Sequence, residues 1–347
     1  PDGKIVAGGR IDYFLYDFPE LAVIRYNPDG TLDLSFGGGD GNARIPWAPG
    51  PFGGMAPAVE DATSIAIQPD GKIVAAGYSY GFWNFSALVR LDSNGSYDGT
   101  IGGGDGVVLT DIGSGGDPAF SVAIQSDGKI VTAGSSNNGS KDGFAVVRYT
   151  SDGSLDTAFD SDGKVITPIG AGNAAALTVA VQSDGKILVA GYSGNGANDD
   201  FALARYNSDG SLDTTFGGGD GITTVDFSSG NDVPHSMALD KTGRVVVAGG
   251  SDGKFAIARF LLAPAVSISG RVLTPGGQGL RNAIIAITDS SGVRRTAVTS
   301  TLGFYSFAGI PAGETVTITG SSKRYRFQSV TRTINESLSD VDLVGLE

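Results

Sequence analysis

Carboxylates at set spacings are the first residues here that could do chemistry. Asn27 to Asp33 reads NPDGTLD and Asn207 to Asp213 reads NSDGSLD, so one N-x-D-G-x-x-D pattern occurs twice. Alternating oxygen ligands are what a calcium loop needs, which makes Asp29, Asp33, Asp209 and Asp213 candidate calcium ligands. A loop of the EF-hand kind would also carry a carboxylate two residues ahead of the Asn. Arg25 and Arg205 stand there instead. A plain Asp-Gly turn explains the same residues without a metal. The turn is the preferred reading, and calcium is the one cofactor left open.

Other chemistry is harder to build. The run FGGGDG at Phe36 to Gly41 and Phe216 to Gly221, with IGGGDG at Ile101 to Gly106, superficially resembles a phosphate cradle. A phosphate cradle needs a strand before it and a helix after it, and no helical period follows. A structural turn is expected. His235 is the only histidine, and without a Ser or Cys nucleophile arranged beside it a surface or capping role is expected. The absence of Cys removes thiolate nucleophiles, thiolate metal sites and disulfides. Acidic residues could supply a carboxylate pair for glycoside cleavage, but most recur once per repeat or sit in turns. No catalytic residue is named, and a non-enzymatic chain is expected.

Aromatic side chains make a further candidate site, for binding. Tyr13, Phe14, Tyr16 and Phe18 lie in one loop region, and Tyr78, Tyr80, Phe82 and Trp83 in the equivalent one a repeat later. The link between them carries an insertion of about 11 residues with Trp47, Phe52 and Met55. Such rings either bury one another as a cap or form a contact surface for a partner. The partner expected is another protein or a second copy of the chain, with a polysaccharide as the alternative.

These residues are held by a repeat. Ser64 to Gly77 reads SIAIQPDGKIVAAG, and SVAIQSDGKIVTAG, TVAVQSDGKILVAG and SMALDKTGRVVVAG start at Ser121, Thr178 and Ser236, spaced by 57, 57 and 58 residues. PDGKIVAGG opens the chain inside a fifth copy, so an N-terminal continuation is expected. A long regular period means one supersecondary unit burying its faces against its neighbours. In the third repeat SVAIQ, KIVTAG, FAVVRY and KVITPI are four short strands, separated by Asp-Gly turns and one polar loop. Four antiparallel strands per unit predict an all-β chain built of β-propeller blades. By period-2 parity Arg148 shares a face with Phe144 and Val146. A charge there needs a partner, and Asp156 or its neighbour-blade equivalent is expected to supply it, as Arg25, Arg90 and Arg205 recur in register. The repeats resemble the delta-60 repeat family over about residues 1–260. That resemblance implies a bacterial propeller, often secreted or on the surface, with no catalytic residues to carry over.

After Arg259-Phe260 the texture changes. SISGRVL, AIIAITD, RRTAVTS, GFYSFAGI, PAGETVTITG and KRYRFQSV read as strands of a small β-sandwich. The Gly270-Arg271-Val272, GFYSF and Ile310-Pro311-Ala312-Gly313 segments resemble the carboxypeptidase regulatory-like, transthyretin-like domain. That resemblance implies a non-catalytic stalk or adhesion unit. Two domains are expected, 1–262 and 263–347. Residues 1–263 hold 16 Lys+Arg against 31 Asp+Glu, too acidic for non-specific nucleic-acid binding. No apolar run approaches a membrane span. Together these readings predict a scaffold for protein association, extracellular, cell-surface or periplasmic, in which variable loops on a rigid frame do the binding. A polysaccharide-binding or polysaccharide-cleaving propeller is the alternative.

Overall fold

The computed structural model describes residues 2–13, 16–45, 59–79, 85–239, 244–262, 265–290 and 292–346. All regular structure among them is β. The first sheet comprises β1 (Ile5–Tyr13), β2 (Tyr16–Tyr26) and β3 (Asn42–Ile45). The second comprises β4 (Val59–Ile67), β5 (Ile73–Ser79), β6 (Ser86–Leu91) and β7 (Val107–Thr110). The third holds β8 (Ala119–Ile124), β9 (Ile130–Asn137), β10 (Asp142–Tyr149) and β11 (Lys164–Thr167). The fourth holds β12 (Ala174–Val181), β13 (Ile187–Gly194), β14 (Asp199–Tyr206) and β15 (Ile222–Val225). The fifth has β16 (Asp232–Leu239), β17 (Val245–Ser251) and β18 (Lys254–Phe260). Strands run antiparallel in chain order, as blades of a β-propeller.

The second, third and fourth blades are apolar on both faces because each lies between two others. Along β10, Phe144 and Val146 point toward the fourth blade and pack with Ala176, Val189, Ala202 and Ala204. Val147 and Tyr149 point the other way, against Val74, Ala76 and Leu88 of the second blade. The same division puts Leu21 and Val23 against Ala75 and Val89. Several polar groups at blade interfaces are paired across them. Ser121 Oγ accepts from Val179 N at 3.2 Å, and Tyr206 Oη donates to Thr167 Oγ1 at 2.8 Å.

The repeated glycine that ends each A-G pair has a steric cause. The first strand of the third blade carries a bulge between Ala119 and Ser121, and that of the fourth between Ala176 and Thr178. The carbonyl just ahead of the bulge crowds the next strand: a Cβ on Gly134 would lie 1.8 Å from Pro118 O, and one on Gly191 1.9 Å from Ala175 O. Only glycine fits at this approach.

A second compact unit gathers Leu239–Val246 with Arg259–Glu347. Its sandwich pairs β19 (Ala265–Leu273) with β22 (Phe304–Pro311) and β25 (Leu343–Val344). The facing sheet contains β20 (Ile284–Thr288), β21 (Arg294–Val298), β23 (Glu314–Ser321) and β24 (Val330–Ile334). Ile268, Val272, Ile285, Ile287, Phe307 and Ile318 fill its core. KRYRFQSV, read as a strand, contains only an isolated bridge, Arg326 to Leu346, and the strand begins at Val330. Tyr325 is used instead to pack against Gly345, where an added Cβ would come within 2.9 Å of its Cβ.

Candidate functional site

The two ends of the blades are built differently. At the end bearing the Asp-Gly turns, one arrangement recurs. Arg25, Arg90, Arg148 and Arg205 place Nε 2.6, 2.5, 2.7 and 2.8 Å from Oδ2 of Asp33, Asp98, Asp156 and Asp213. The expected pairing is therefore within the blade. A lysine from the first hairpin turn joins each pair: Lys4, Lys72, Lys129 and Lys186 reach the same oxygen. Arginine also joins blades. Nη1 of Arg25, Arg90 and Arg148 donates to the carbonyls of Ser93, Ser151 and Ser208 in the following blade. The guanidinium carbon lies 4.6 Å over Phe36 and 4.7 Å over Phe159.

This arrangement bears on the four candidate calcium ligands. Asp33 is held by Lys4, Arg25 and the Ser35 hydroxyl, and Asp213 by Lys186, Arg205 and Thr215. Asp29 and Asp209 accept from the backbone and hydroxyl of Thr31 and Ser211 at 2.6–3.0 Å, closing their own turns. All four carboxylates thus already have donors, two of them cationic. The Lys4 hydrogen bond, chiefly, holds the Asp33 carboxyl well below the usual range. Burial raises Asp98 and Asp213, but hydrogen bonds from Lys72 and Lys186 and from Thr100 and Thr215 outweigh it, leaving both strongly lowered. The glycine runs are turns too: Gly37 has φ 66°, and a Cβ there would meet Asn42 O at 2.0 Å. His235 is exposed on β16.

The opposite end, with the loops between second and third strands and the links between blades, differs from blade to blade. Asn138, Lys141 and Asp142 shape it in the third blade, Asn195, Asn198, Asp199 and Asp200 in the fourth. Of the aromatic sector, Phe14, Trp47, Phe52, Met55, Tyr80, Phe82 and Trp83 lie outside the described residues. The backbones of Tyr13 and Tyr16 pair across the β1–β2 hairpin, and Tyr78 lies on β5 opposite Ser86.

Two features escaped the sequence reading. One is three carboxylates that meet where the fourth blade joins the fifth, Asp200, Asp226 and Asp232, whose ligand oxygens all lie within 4.8 Å of one another. Each belongs to a different segment, so no motif announces them; the available signal was Asp200 at a position held by Gly143 in the preceding repeat. The other is the outward face of the fifth blade. Phe255 and Ile257 are 77% and 55% exposed, where Phe201 and Leu203 one blade earlier are 1% and 0% exposed.

A family profile described as "Domain of unknown function (DUF5122) beta-propeller" matches residues 1–36, 68–100, 125–159 and 182–216. The matches fall once in each of the first four repeats and span the Arg–Asp pairs. No curated protein matches the chain. Among solved structures, a periplasmic gluconolactonase of Pseudomonas aeruginosa is similar at 14% identity and a TM-score of 0.41, with 99% of both chains covered. A protein from Lactobacillus plantarum is similar at 10% identity and a TM-score of 0.37, again with 99% of both covered. A polysaccharide lyase of family PL25, an ulvan lyase, shows 9% identity and a TM-score of 0.38, covering 100% of this chain and 81% of that one. Similarity at this level transfers no activity. It does correct the expectation of a non-enzymatic chain: structures bearing enzyme names match this architecture, so the fold gives no ground for excluding catalysis.

Proposed function

We propose that this is an exported recognition module of the delta-60 repeat type that associates with protein, self-association first. The supporting observation is the uncovered face of the fifth blade. Phe255 and Ile257 occupy positions that are buried against the next blade in the third and fourth repeats. The repeat itself specifies what fits there: the small and β-branched backward face of another blade. In this reading the C-terminal unit is a transthyretin-like, carboxypeptidase regulatory-like sandwich acting as stalk or adhesion unit. The module acts outside the cytoplasm, as a surface, periplasmic or extracellular component of a larger envelope assembly. The aromatic sector around Tyr13, Tyr78 and Trp83 offers a second contact for a protein partner.

Light scattering across a concentration series tests this. The full chain is expected to form dimers or larger species as concentration rises, and Phe255→Ser with Ile257→Ser is expected to leave it monomeric with its β-sheet spectrum intact. A wild-type chain that stays monomeric throughout, and captures no partner through that face, would overturn it.

One observation favours a polysaccharide instead. Asn195, Asn198 and Asn231 cluster with Asp199 and Asp200 at the variable end of the fourth blade, Asn195 Nδ2 donating to Asp200 Oδ2 at 3.0 Å. Clustered amides and carboxylates suit sugar hydroxyls. A glycan array with a reducing-sugar assay separates binding from cleavage.

A further inference from the structure

We propose that Asp200, Asp226 and Asp232 form a calcium site that clasps the fourth blade to the fifth. The three residues come from the start of β14, the link after β15 and the start of β16. Their ligand oxygens lie within 4.8 Å of one another. Three oxygens so spaced lie within about 2.8 Å of a common point, so a side-chain adjustment of a few tenths of an ångström brings all three to the Ca–O distance of about 2.3–2.6 Å.

The cluster is more than an acidic surface patch. Asp232 is fully buried and Asp200 is 8% exposed. In each, one oxygen is engaged: Asp232 Oδ2 accepts from Phe227 N at 2.7 Å and Asp200 Oδ2 from Asn195 Nδ2 at 3.0 Å. Oδ1 of both is buried with no donor among the described residues. A buried carboxylate oxygen without a partner is costly, and two of them beside a third carboxylate also repel one another. No Lys or Arg among the described residues pairs with any of the three, whereas the buried aspartates at the opposite end of the blades are each held by an Arg and a Lys. A cation is what this cluster lacks among the described residues. Asp252 adds negative charge nearby, its carboxylate lying so close to Gly230 that a Cβ there would meet Oδ1 at 1.6 Å.

The preceding repeats sharpen the assignment. The link Asp111 to Asp117 has the same length as Asp226 to Asp232, and Asp117 accepts from Ile112 N at 2.8 Å just as Asp232 accepts from Phe227 N. There, however, Phe85 stands where Asp200 stands, and in the third repeat Gly143 stands there, with Pro168 and Ala174 in place of Asp226 and Asp232. The third carboxylate is an addition of the fourth repeat, and it completes an all-oxygen set that suits a hard cation such as calcium rather than a softer metal.

The site also differs from the N-x-D-G-x-x-D turns, so variants can tell them apart. Full-length protein stripped with chelator is titrated with calcium chloride by calorimetry, and its melting temperature is read with and without the ion. One calcium ion per chain is expected, with a melting temperature higher by several degrees in excess calcium. Asp200→Gly copies the third repeat's own residue and Asp226→Asn alters the exposed member. Each is expected to weaken binding at least about tenfold while the calcium-free protein melts no lower than wild type. Asp29→Asn with Asp209→Asn is expected to leave binding unchanged. No binding up to millimolar calcium, or binding that survives both Asp200→Gly and Asp226→Asn, would overturn the proposal.

Discussion

Arg148 and Asp156 are joined by a hydrogen bond of 2.7 Å from Nε to Oδ2, and the same guanidinium donates through Nη1 to Ser208 O of the next blade at 2.6 Å. One side chain therefore closes its own blade and fastens the following one. Both partners are almost wholly buried, so removing one strands the other. Arg148→Ala is expected to destabilise the chain by about 3–5 kcal/mol. Chemical denaturation measures it. Replacing both residues by apolar ones of similar size should cost much less, which separates the value of the pair from the penalty of a lone buried charge. Equal losses in the single and double variants would count against this account.

Acid should undo these same pairs. Asp98 is raised by burial but lowered further by hydrogen bonds from Lys72, Thr100 and Arg90, so its folded pKa lies below its unfolded one. Asp33, Asp156 and Asp213 are shifted in the same direction. A depressed carboxyl contributes stability that is present above the unfolded value of about 3.9 and is lost as pH falls through the folded value. The melting temperature is expected to fall progressively below about pH 4, and Asp98→Asn to flatten that fall while lowering stability at neutral pH. Asp117 has the opposite sign, because burial raises it. Its contribution favours folding at low pH and declines as pH rises from the unfolded value through the folded one. Asp117→Asn is thus expected to raise the melting temperature at pH 7 and to change little at pH 3. Parallel profiles for wild type and both variants would sink the argument.

How much of this was legible depends on whether a residue's role repeats. The Arg25, Arg90, Arg148 and Arg205 series could be read because parity placed each arginine on an apolar face and an aspartate followed at fixed spacing. The lysine that completes each cluster could not: Lys129 is remote from Asp156 in sequence and reaches it only because β9 and β10 pair in a particular register. Asp200, Asp226 and Asp232 were illegible for a related reason. They meet once, across two blades, and a single occurrence leaves no pattern. The exposed Phe255 was hidden by its own resemblance, since in sequence it looks the same as the buried Phe201.

The glycine of the third repeat's A-G pair gives a steric prediction. A Cβ on Gly134 would sit 1.8 Å from Pro118 O and 3.0 Å from Ala119 Cα, both backbone atoms that cannot rotate away. Gly134→Ala must push β8 off β9 and disturb the interface with the second blade. A loss of about 2–4 kcal/mol is expected, within the range of strongly destabilising single substitutions. Gly139, which has nothing within 4 Å of an added Cβ but a φ of 94°, serves as the control for backbone strain alone. Gly139→Ala is expected to cost only about 1 kcal/mol. Similar losses at the two sites would show that crowding at the bulge is not the cause.

The third blade also carries a strain that its neighbours avoid. Where the second and fourth blades use Gly102, Gly103 and Gly217, Gly218 at positive φ, the third has Asp160 and Ser161 at φ 46° and 66°. A side chain in the left-handed region costs about 1–2 kcal/mol, least for Asp and Asn, whose short polar groups bond locally. Ser161 lacks that compensation more than Asp160 does. The turn is nonetheless kept, because Phe159 is fully buried beneath Arg148, and Gly163 N closes the loop onto Phe159 O at 2.7 Å. Glycine at 161 would keep those contacts and remove the strain, though it also loosens the unfolded chain. The net expectation for Ser161→Gly is a gain of about 0.5–1 kcal/mol, read as a higher denaturation midpoint with an unchanged slope. The converse change, Gly103→Ser in the second blade, should lose a similar amount. If both substitutions shift the midpoint in the same direction, the left-handed turn is not where the third blade stores its strain.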